Sequence, residues 1–185
     1  MNLFFLHQAE RRAGFTLIEL LVAIGLIAIL SAIAGPLFLQ WIPNLQLTSA
    51  SRDIYGVLTK AKGEAAKRNR NCTVVFRQTI AGTAYAYVLF EDANGNSEYD
   101  AGEPLITSMI NLPSRVFFDT AQGGGDGLSF TDNDDGNPSI SFQPNSVPTD
   151  NGGVLLPGTV GAFLKNSSGR TKSIVVNQFG NIRIP

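Results

Sequence analysis

The chain is poor in the residues that most enzymatic and disulfide sites require. Its 185 residues include one cysteine and one histidine. The single cysteine, Cys72, excludes an intrachain disulfide, and we expect it to be a small buried residue at the start of a strand. The histidine, His7, precedes the predicted folded body, so a Ser-His-Asp site, a Cys-His dyad or a histidine-ligated zinc site has no histidine there. The sequence therefore predicts a protein that is not an enzyme.

Charge is also scarce. Charged residues make up 16% of the chain and the formal net charge is −1, so no broad field for binding polyanions is expected. Hydrophobic residues make up 44%, and much of this excess lies in residues 15–42 rather than in a large core. The length allows one ordinary domain plus a membrane segment.

One long stretch is almost free of charge. Between residues 13 and 51 the only ionisable side chain is Glu19. As a helix, residues 15–34 span roughly 30 Å, the thickness of a bilayer core, which predicts a membrane span. A charge inside such a helix costs roughly 2.5 to 3.5 kcal/mol on insertion scales, so Glu19 is expected to have a partner and a purpose.

The residues that flank this stretch predict its orientation. Arg11 and Arg12 precede it, and no cation follows until Arg52. By the positive-inside rule, the N-terminus is then cytoplasmic and the body lies on the opposite side of the membrane. Trp41 is placed near the distal end of the apolar run, where an interfacial aromatic residue is expected.

Two simpler interpretations compete for this segment. A secretory signal peptide also has a basic start and an apolar middle, but this run is longer and carries Glu19 early. An uncleaved anchor whose Glu19 snorkels toward the cytoplasmic headgroups explains the position of the carboxylate. It does not explain the sequence around it.

That local sequence, residues 11–22, reads RRAGFTLIELLV. It resembles the class III leader of type IV pilins and type II secretion pseudopilins, in which a short basic leader ends in Gly and is followed by Phe-Thr-Leu-Ile-Glu. The resemblance implies that a membrane-embedded prepilin peptidase cuts between Gly14 and Phe15. It also implies that the new amine of Phe15 is N-methylated.

Such a cleavage would give Glu19 its purpose. It creates an ammonium group on Phe15 and removes Arg11 and Arg12 from the chain. In a helical filament, the carboxylate of one subunit then neutralises the amine of its neighbour, so two costly charges become one pair. Phe15 and Glu19 are therefore expected to set the axial register of assembly.

The helix is expected to continue past two prolines. Pro36 predicts a kink or, alternatively, a helix end at Gly35-Pro36, and Pro43 adds a second break. Beyond it, apolar residues recur at spacings of three, four or seven, which marks one face that packs on a sheet. This face consists of Leu47, Ile54, Leu58, Ala61 and Ala65.

After the helix, which is expected to end at residues 67–70, the sequence breaks into short β-rich runs between turn clusters. The predicted strands are 73–76, 84–90, 105–110, 115–118, 139–142, 161–164, 172–177 and 181–184. This order predicts an α+β fold, in which a long N-terminal helix, half membrane-spanning and half amphipathic, packs on an antiparallel β body of one or two sheets. The predicted segments are a cleaved leader, a transmembrane and filament-core helix, an amphipathic helix half and a periplasmic β domain, at 1–14, 15–42, 43–71 and 72–185.

The body is similar in layout to the GspH/FimT branch of the same superfamily. The shared features are an Ala-rich helix with Lys62, Glu64 and Arg68, an acidic turn ending in Gly102-Glu103, and a terminal Val-Val-Asn-x-x-Gly strand pair. Members of this branch are minor pilins or minor pseudopilins, which start or cap a filament.

An acidic loop at residues 92–103 invites a calcium hypothesis. It places oxygen ligands at positions 1, 3, 5, 9 and 12 of a loop of the EF-hand type. The candidate ligands are Asp92, Asn94, Asn96, Asp100 and Glu103. The turn glycine, however, falls early and the flanks are strands, so a polar hairpin that needs no ion is the alternative. A second acidic cluster at 132–135 predicts a solvated loop.

Basic residues give a weak nucleic-acid signal. Some pilins of this branch bind DNA through Gly-Arg-x-Arg near the C-terminus, and the matching residues 180–183 here lack one of the two arginines. Arg170, Lys172 and Arg183 are the candidate basic edge, but a slightly acidic chain with a depleted motif argues against DNA binding. The cations at 67–70 are explained by the helix dipole.

Together with the resemblance, these features predict a non-enzymatic structural subunit of a type IV pilus or a type II secretion pseudopilus. Its expected partners are the prepilin peptidase, other pilins or pseudopilins, and an inner-membrane assembly platform. The expected location is the bacterial inner membrane, with a cytoplasmic N-terminus and a periplasmic body, and then a filament. The competing prediction is a DNA-uptake or adhesion minor pilin that binds a ligand through its β domain.

Overall fold

The computed structural model describes residues 14–185, apart from the side chains of residues 36, 37 and 40. The chain divides into two units, and the boundary falls between Leu39 and Gln40. Helix α1 runs from Leu17 to Arg68 and so contributes to both. The predicted helix end at Gly35-Pro36 is wrong, because an interior proline removes only one hydrogen bond and the helix continues on both sides of it. The kink stays a prediction.

In the first unit, the side chains of α1 are mostly apolar and are exposed. The stretch Leu17–Gly35 has a mean hydropathy of 2.7, and none of it is buried within the chain. Its length and composition suffice to cross a membrane. Exposed leucine and isoleucine side chains over this length require another apolar environment.

The C-terminal end of α1 is a defined cap. Asn69 has a φ of 53°, in the left-handed region. The amide of Arg70 donates to the carbonyl of Ala65 at 3.3 Å, which is the long bond of a Schellman motif. Lys67 and Arg68 both approach Glu64, and Arg68 also approaches Glu91 at 3.3 Å. The predicted helix end is confirmed.

The second unit contains eleven strands among the described residues and one short 3-10 helix, Gly123–Gly125. The strands are β1 Asn71–Phe76, β2 Thr79–Ile80, β3 Thr83–Ala84, β4 Tyr87–Asp92, β5 Val116–Phe118, β6 Thr131–Asp132, β7 Pro138–Phe142, β8 Pro148–Thr149, β9 Val160–Asn166, β10 Thr171–Val176 and β11 Ile182–Arg183. All the pairings between these strands are antiparallel.

Two sheets carry most of the body. The first has the order β4-β1-β7-β6, with β8 also on β7, and the second has the order β11-β10-β9-β5. Strands β2 and β3 form a separate hairpin. The predicted α+β fold, a long helix with an antiparallel β body of one or two sheets, is confirmed.

One hydrophobic core joins the helix to both sheets. Its helix side includes the whole predicted face, Leu47, Ile54, Leu58, Ala61 and Ala65, each at most 2% exposed. Buried side chains of both sheets belong to the same cluster, for example Val74 and Phe142 of the first sheet and Leu164 and Ile174 of the second. Cys72 is fully buried at the start of β1, as predicted.

One predicted strand is wrong. Residues 105–110 form no strand, and only two isolated bridges join Leu105 to Phe90 and Ile110 to Tyr87 of β4. Backbone hydrogen bonds still join the segment to β4, since the amide of Ile106 donates to the carbonyl of Leu89 at 2.9 Å and the amide of Ile110 donates to the carbonyl of Tyr87 at 3.4 Å. The helix adds one bond, from Lys60 Nζ to the carbonyl of Ile106 at 2.9 Å. These bonds are too irregularly spaced to form the continuous ladder of a strand.

Candidate processing and assembly site

The N-terminal motif forms a capping box at the start of α1. Glu19 donates its amide to Thr16 Oγ1 at 3.3 Å, and Glu19 Oε2 accepts the Thr16 amide at 2.9 Å. The Thr16 hydroxyl also donates to Glu19 Oε2, at 2.9 Å. A Thr at the N-cap and a Glu three residues later satisfy each other's backbone amides in this way. The carboxylate therefore has local partners before any second subunit is present.

The neighbouring side chains are open to their surroundings. Phe15 is 91% exposed, and its residue lies just before the helix. Around Glu19, a shallow apolar cavity of about 290 Å³ is lined by Ile18, Val22, Ala23 and Leu26. Gly14 and Phe15, the predicted cleavage pair, precede the helix and belong to no helix or strand. Arg11 and Arg12 lie outside the described residues.

The acidic loop at 92–103 is organised by its own backbone. Asp92 is 3% exposed, and its carboxylate accepts the amides of Gly95 and Ser97 at 2.6 and 3.0 Å. The Thr73 hydroxyl donates to the same carboxylate at 3.0 Å. This role of Asp92 as a buried acceptor was not foreseen, although an Asp at the start of an Asn-Gly turn signals it.

The other predicted calcium ligands have similar internal partners. Asp100 Oδ2 accepts the side-chain amides of Asn94 and Asn96 at 2.8 and 3.1 Å. Glu103 accepts the amides of Ala93 and Asp100 at 2.9 and 3.0 Å, and burial raises the pKa of its carboxyl. Within residues 14–185, no three carboxylate, histidine or cysteine side chains are grouped to hold a metal ion. Calcium binding stays a prediction.

The three candidate nucleic-acid residues do not share one face. Lys172 of β10 lies opposite Leu164, whereas Arg183 of β11 lies opposite Val175. Because alternate residues of a strand point to opposite faces, Lys172 and Arg183 project from opposite sides of the second sheet. Arg170 lies in the turn between β9 and β10. The small basic edge considered for these residues is therefore divided between the two faces of the second sheet, and nucleic-acid binding through them stays untested.

Comparison with known proteins agrees with the N-terminal geometry and with the body. A family model described as the prokaryotic N-terminal methylation motif matches residues 10–35. A second model, described as Type II transport protein GspH, matches residues 50–180, which is most of the β body. The chain belongs to the GspH family. No solved structure gives a significant match.

A curated relative is similar to nearly the whole chain. The chain is 31% identical over 176 residues to the Pilin-like protein PilA1 of Thermus thermophilus, covering 94% of this chain and 98% of the relative. The methylation motif, the GspH body and this likeness confirm the expected minor pilin or minor pseudopilin of the GspH branch. The competing DNA-uptake or adhesion role is not favoured.

Proposed function

We propose that the chain is a structural subunit that a prepilin peptidase cleaves between Gly14 and Phe15 and methylates at Phe15. It is then stored in the bacterial inner membrane through α1, with its body in the periplasm, until an assembly platform adds it to a filament. The filament contains other pilins or pseudopilins, and the role of the subunit is non-enzymatic. The observation that carries the proposal is the uncovered apolar helix that begins with a methylation motif.

Glu19 supports the assembly step. The Glu19 side chain lines a shallow apolar cavity, and the small side chain of Ala23 lines the same cavity. An ammonium group from a neighbouring subunit would enter a low-dielectric site, where an ion pair is stronger than in water. The capping box holds the carboxylate at the first turn, so the acceptor is fixed before the neighbour arrives.

The test is the variant Glu19→Ala, produced in a strain that assembles the filament. We expect it to remain in the membrane fraction, because the apolar stretch is unchanged, and to fall at least tenfold in the sheared filament fraction. Val22→Ala, one turn away in the same cavity, is the matched control and should assemble normally. Normal incorporation of Glu19→Ala would contradict the pairing mechanism.

Intact mass of the same samples tests the processing step. The expected mass is that of a chain beginning at Phe15 with one added methyl group. A mature chain that retains residues 1–14, or one that has lost α1 as well, would overturn the proposed processing.

A further inference from the structure

One end of the body combines two cations, the exposed Arg170 and the half-buried Arg115, with exposed apolar side chains. Three segments meet there: helix residues 41–45, the residues before β5, and the turn between β9 and β10. Asn166 Nδ2 donates to Asn44 Oδ1 at 2.9 Å, which joins the turn to the helix. The amide of Ser167 donates to the carbonyl of Arg115 at 3.0 Å, which joins the turn to the start of β5.

The turn is rigidly held by a buried asparagine. Asn166 is 2% exposed. Its Oδ1 accepts the amides of Ser168 and Arg170 at 3.1 and 2.9 Å. The backbone of Arg170 is therefore held at the base of an ordered turn, and its side chain is exposed. An ordered backbone at this position has less conformational entropy to lose on binding than a mobile loop.

The two arginines at this end are not paired with acidic side chains. Within the described part of the chain, neither Arg115 nor Arg170 has an ion-pair partner. Lys165 does have one, since its Nζ lies 3.9 Å from Asp119. On the helix, the first acid after Asn44 is Asp53, about 13 Å further along at 1.5 Å per residue.

Acids are absent from the segments that build this end. Residues 36–52, 104–118 and 151–185 contain no Asp or Glu, although the whole chain has 15. The acidic loop 92–103 begins at the opposite end, because Asp92 pairs with Asn71 just beyond the end of α1. Along α1, about 36 Å separate Asn44 from that end. Acids are therefore sparse in the segments that build this end and frequent beyond the end of α1, where Lys67, Arg68 and Arg70 also lie.

Apolar side chains accompany the cations. Trp41 is 68% exposed and Leu45 is 63% exposed, one helical turn apart. Asn44 follows Gly35, the last residue of the apolar stretch, by nine residues, and nine residues reach at most about 30 Å. The length of the connecting chain therefore allows this end to reach the surface of a membrane that holds the apolar stretch.

We propose that this basal surface, formed by Trp41, Leu45, Arg115 and Arg170, binds the anionic phospholipid headgroups of the membrane that holds the subunit before assembly. The inference rests on the proposed membrane anchor. Indole rings favour the headgroup level, and each arginine near an anionic surface contributes about fivefold to binding. Charge complementarity and the short connecting chain both select a lipid surface as the occupant.

The test uses the full processed chain in phosphatidylcholine vesicles with and without phosphatidylglycerol. A fluorophore is attached through the substitution Ser168→Cys in the exposed turn. Native Cys72 does not compete, because it is buried and burial raises its thiol pKa to about 11. Quenching by headgroup spin labels is expected only with phosphatidylglycerol, and salt should weaken it.

The double variant Arg115→Gln/Arg170→Gln should lower the ratio of docked to undocked bodies by about thirtyfold. Lys67→Gln/Arg70→Gln removes the same charge at the opposite end of the helix and should leave quenching unchanged. Equal quenching without phosphatidylglycerol, or no response to the arginine variant, would overturn the proposal. Quenching that follows protein density instead of lipid charge would overturn it in favour of a neighbouring subunit. Failure of the chain to float with any vesicle would instead reject the membrane anchor itself.

Discussion

Thr16 and Glu19 show how a single residue pair makes an acid tolerable at the start of an apolar helix. The carboxylate accepts two hydrogen bonds from Thr16, one from its amide and one from its hydroxyl. A buried charge is costly mainly when its hydrogen-bonding capacity is unmet, so these bonds reduce the cost in the stored subunit. In the proposed assembly, the amine of a neighbouring subunit would then bring a countercharge to an acceptor that is already ordered.

The Thr16 hydroxyl can be tested separately from the carboxylate. Thr16→Val keeps the shape of the side chain but removes the group that caps the Glu19 amide, and should cost about 1 kcal/mol in local helix stability. Hydrogen exchange of the amides of residues 17–20, measured on the full chain in micelles, should accelerate about fivefold. Thr16→Ser restores the hydroxyl and should exchange like the parent. Equal rates in the two variants would show that the cap has no stabilising role.

The environments of individual residues could be predicted from the sequence only in part. The importance of Glu19 followed from its isolation, and the burial of Cys72 followed from its place before a β-branched run. Thr16 and Glu19 also have the sequence spacing of a capping box, yet this cap was not predicted. Burial of Asp92 was not predictable, because it depends on Thr73 and on a strand register set by distant residues.

Among the elements, the loop after β4 depends most on one side chain. Asp92→Ala would leave the amides of Gly95 and Ser97 without their acceptor, while the Thr73 hydroxyl keeps Ser141 Oγ as a partner, and should destabilise the body by about 3 kcal/mol. Asp132→Ala removes an exposed acid and should change stability by less than about 0.5 kcal/mol. Thermal unfolding of the full chain in micelles, followed by near-ultraviolet circular dichroism, measures both. Equal Tm values for the two variants would contradict the role of Asp92.

The same assay tests calcium in this loop. Calcium would have to displace the amide donors that now occupy the oxygens of Asp100 and Glu103. A rise in Tm with calcium in the parent chain, absent in Asp100→Asn, would support the calcium prediction. No shift in either protein would leave the loop as a hairpin held by hydrogen bonds alone.

The end of α1 predicts a dependence of stability on pH. The hydrogen bond from Arg68, with a smaller contribution from the charge of Lys67, lowers the pKa of Glu64. A lowered carboxyl pKa contributes stability above the unfolded-state pKa, about 4.3, and that stability is lost as pH falls through the folded-state value. Glu64→Gln should therefore unfold at a lower Tm than the parent at neutral pH, and the gap should close in acid. A gap that is constant with pH would contradict this pairing.

The strands were harder to predict than the helix. Apolar periodicity located the buried face of α1, since that period is a local property of the chain. By contrast, β6 and β8 have two residues each, and each is defined by its pairing with β7. Residues 105–110 have the composition of a strand, but their backbone hydrogen bonds to β4 are irregular and leave only two isolated bridges. Whether such residues form a strand depends on contacts with residues that are distant in the sequence, so a short stretch of sequence does not reveal it.

At the scale of the whole molecule, function follows from the separation of two tasks. The first unit supplies an uncovered apolar helix with a capped acid, and the second supplies a core that is complete within residues 47–176. The fold class was predictable because one helix followed only by strands has few arrangements. The division of the strands into two sheets was not, since β1 pairs with β7 and β5 pairs with β9 across long stretches of chain.

This separation predicts that the second unit folds alone. A fragment of residues 40–185 retains every core residue and the Asn44–Asn166 hydrogen bond, so it should unfold cooperatively in urea. A fragment of residues 55–185 lacks Leu47, Ala50 and Ile54, and loss of the two large side chains alone costs about 4 to 10 kcal/mol. Because domain stability is typically about 5 to 15 kcal/mol, the shorter fragment should lose its near-ultraviolet circular dichroism and its cooperative transition. Equal midpoints for the two fragments would show that the helix before residue 55 is dispensable for the core.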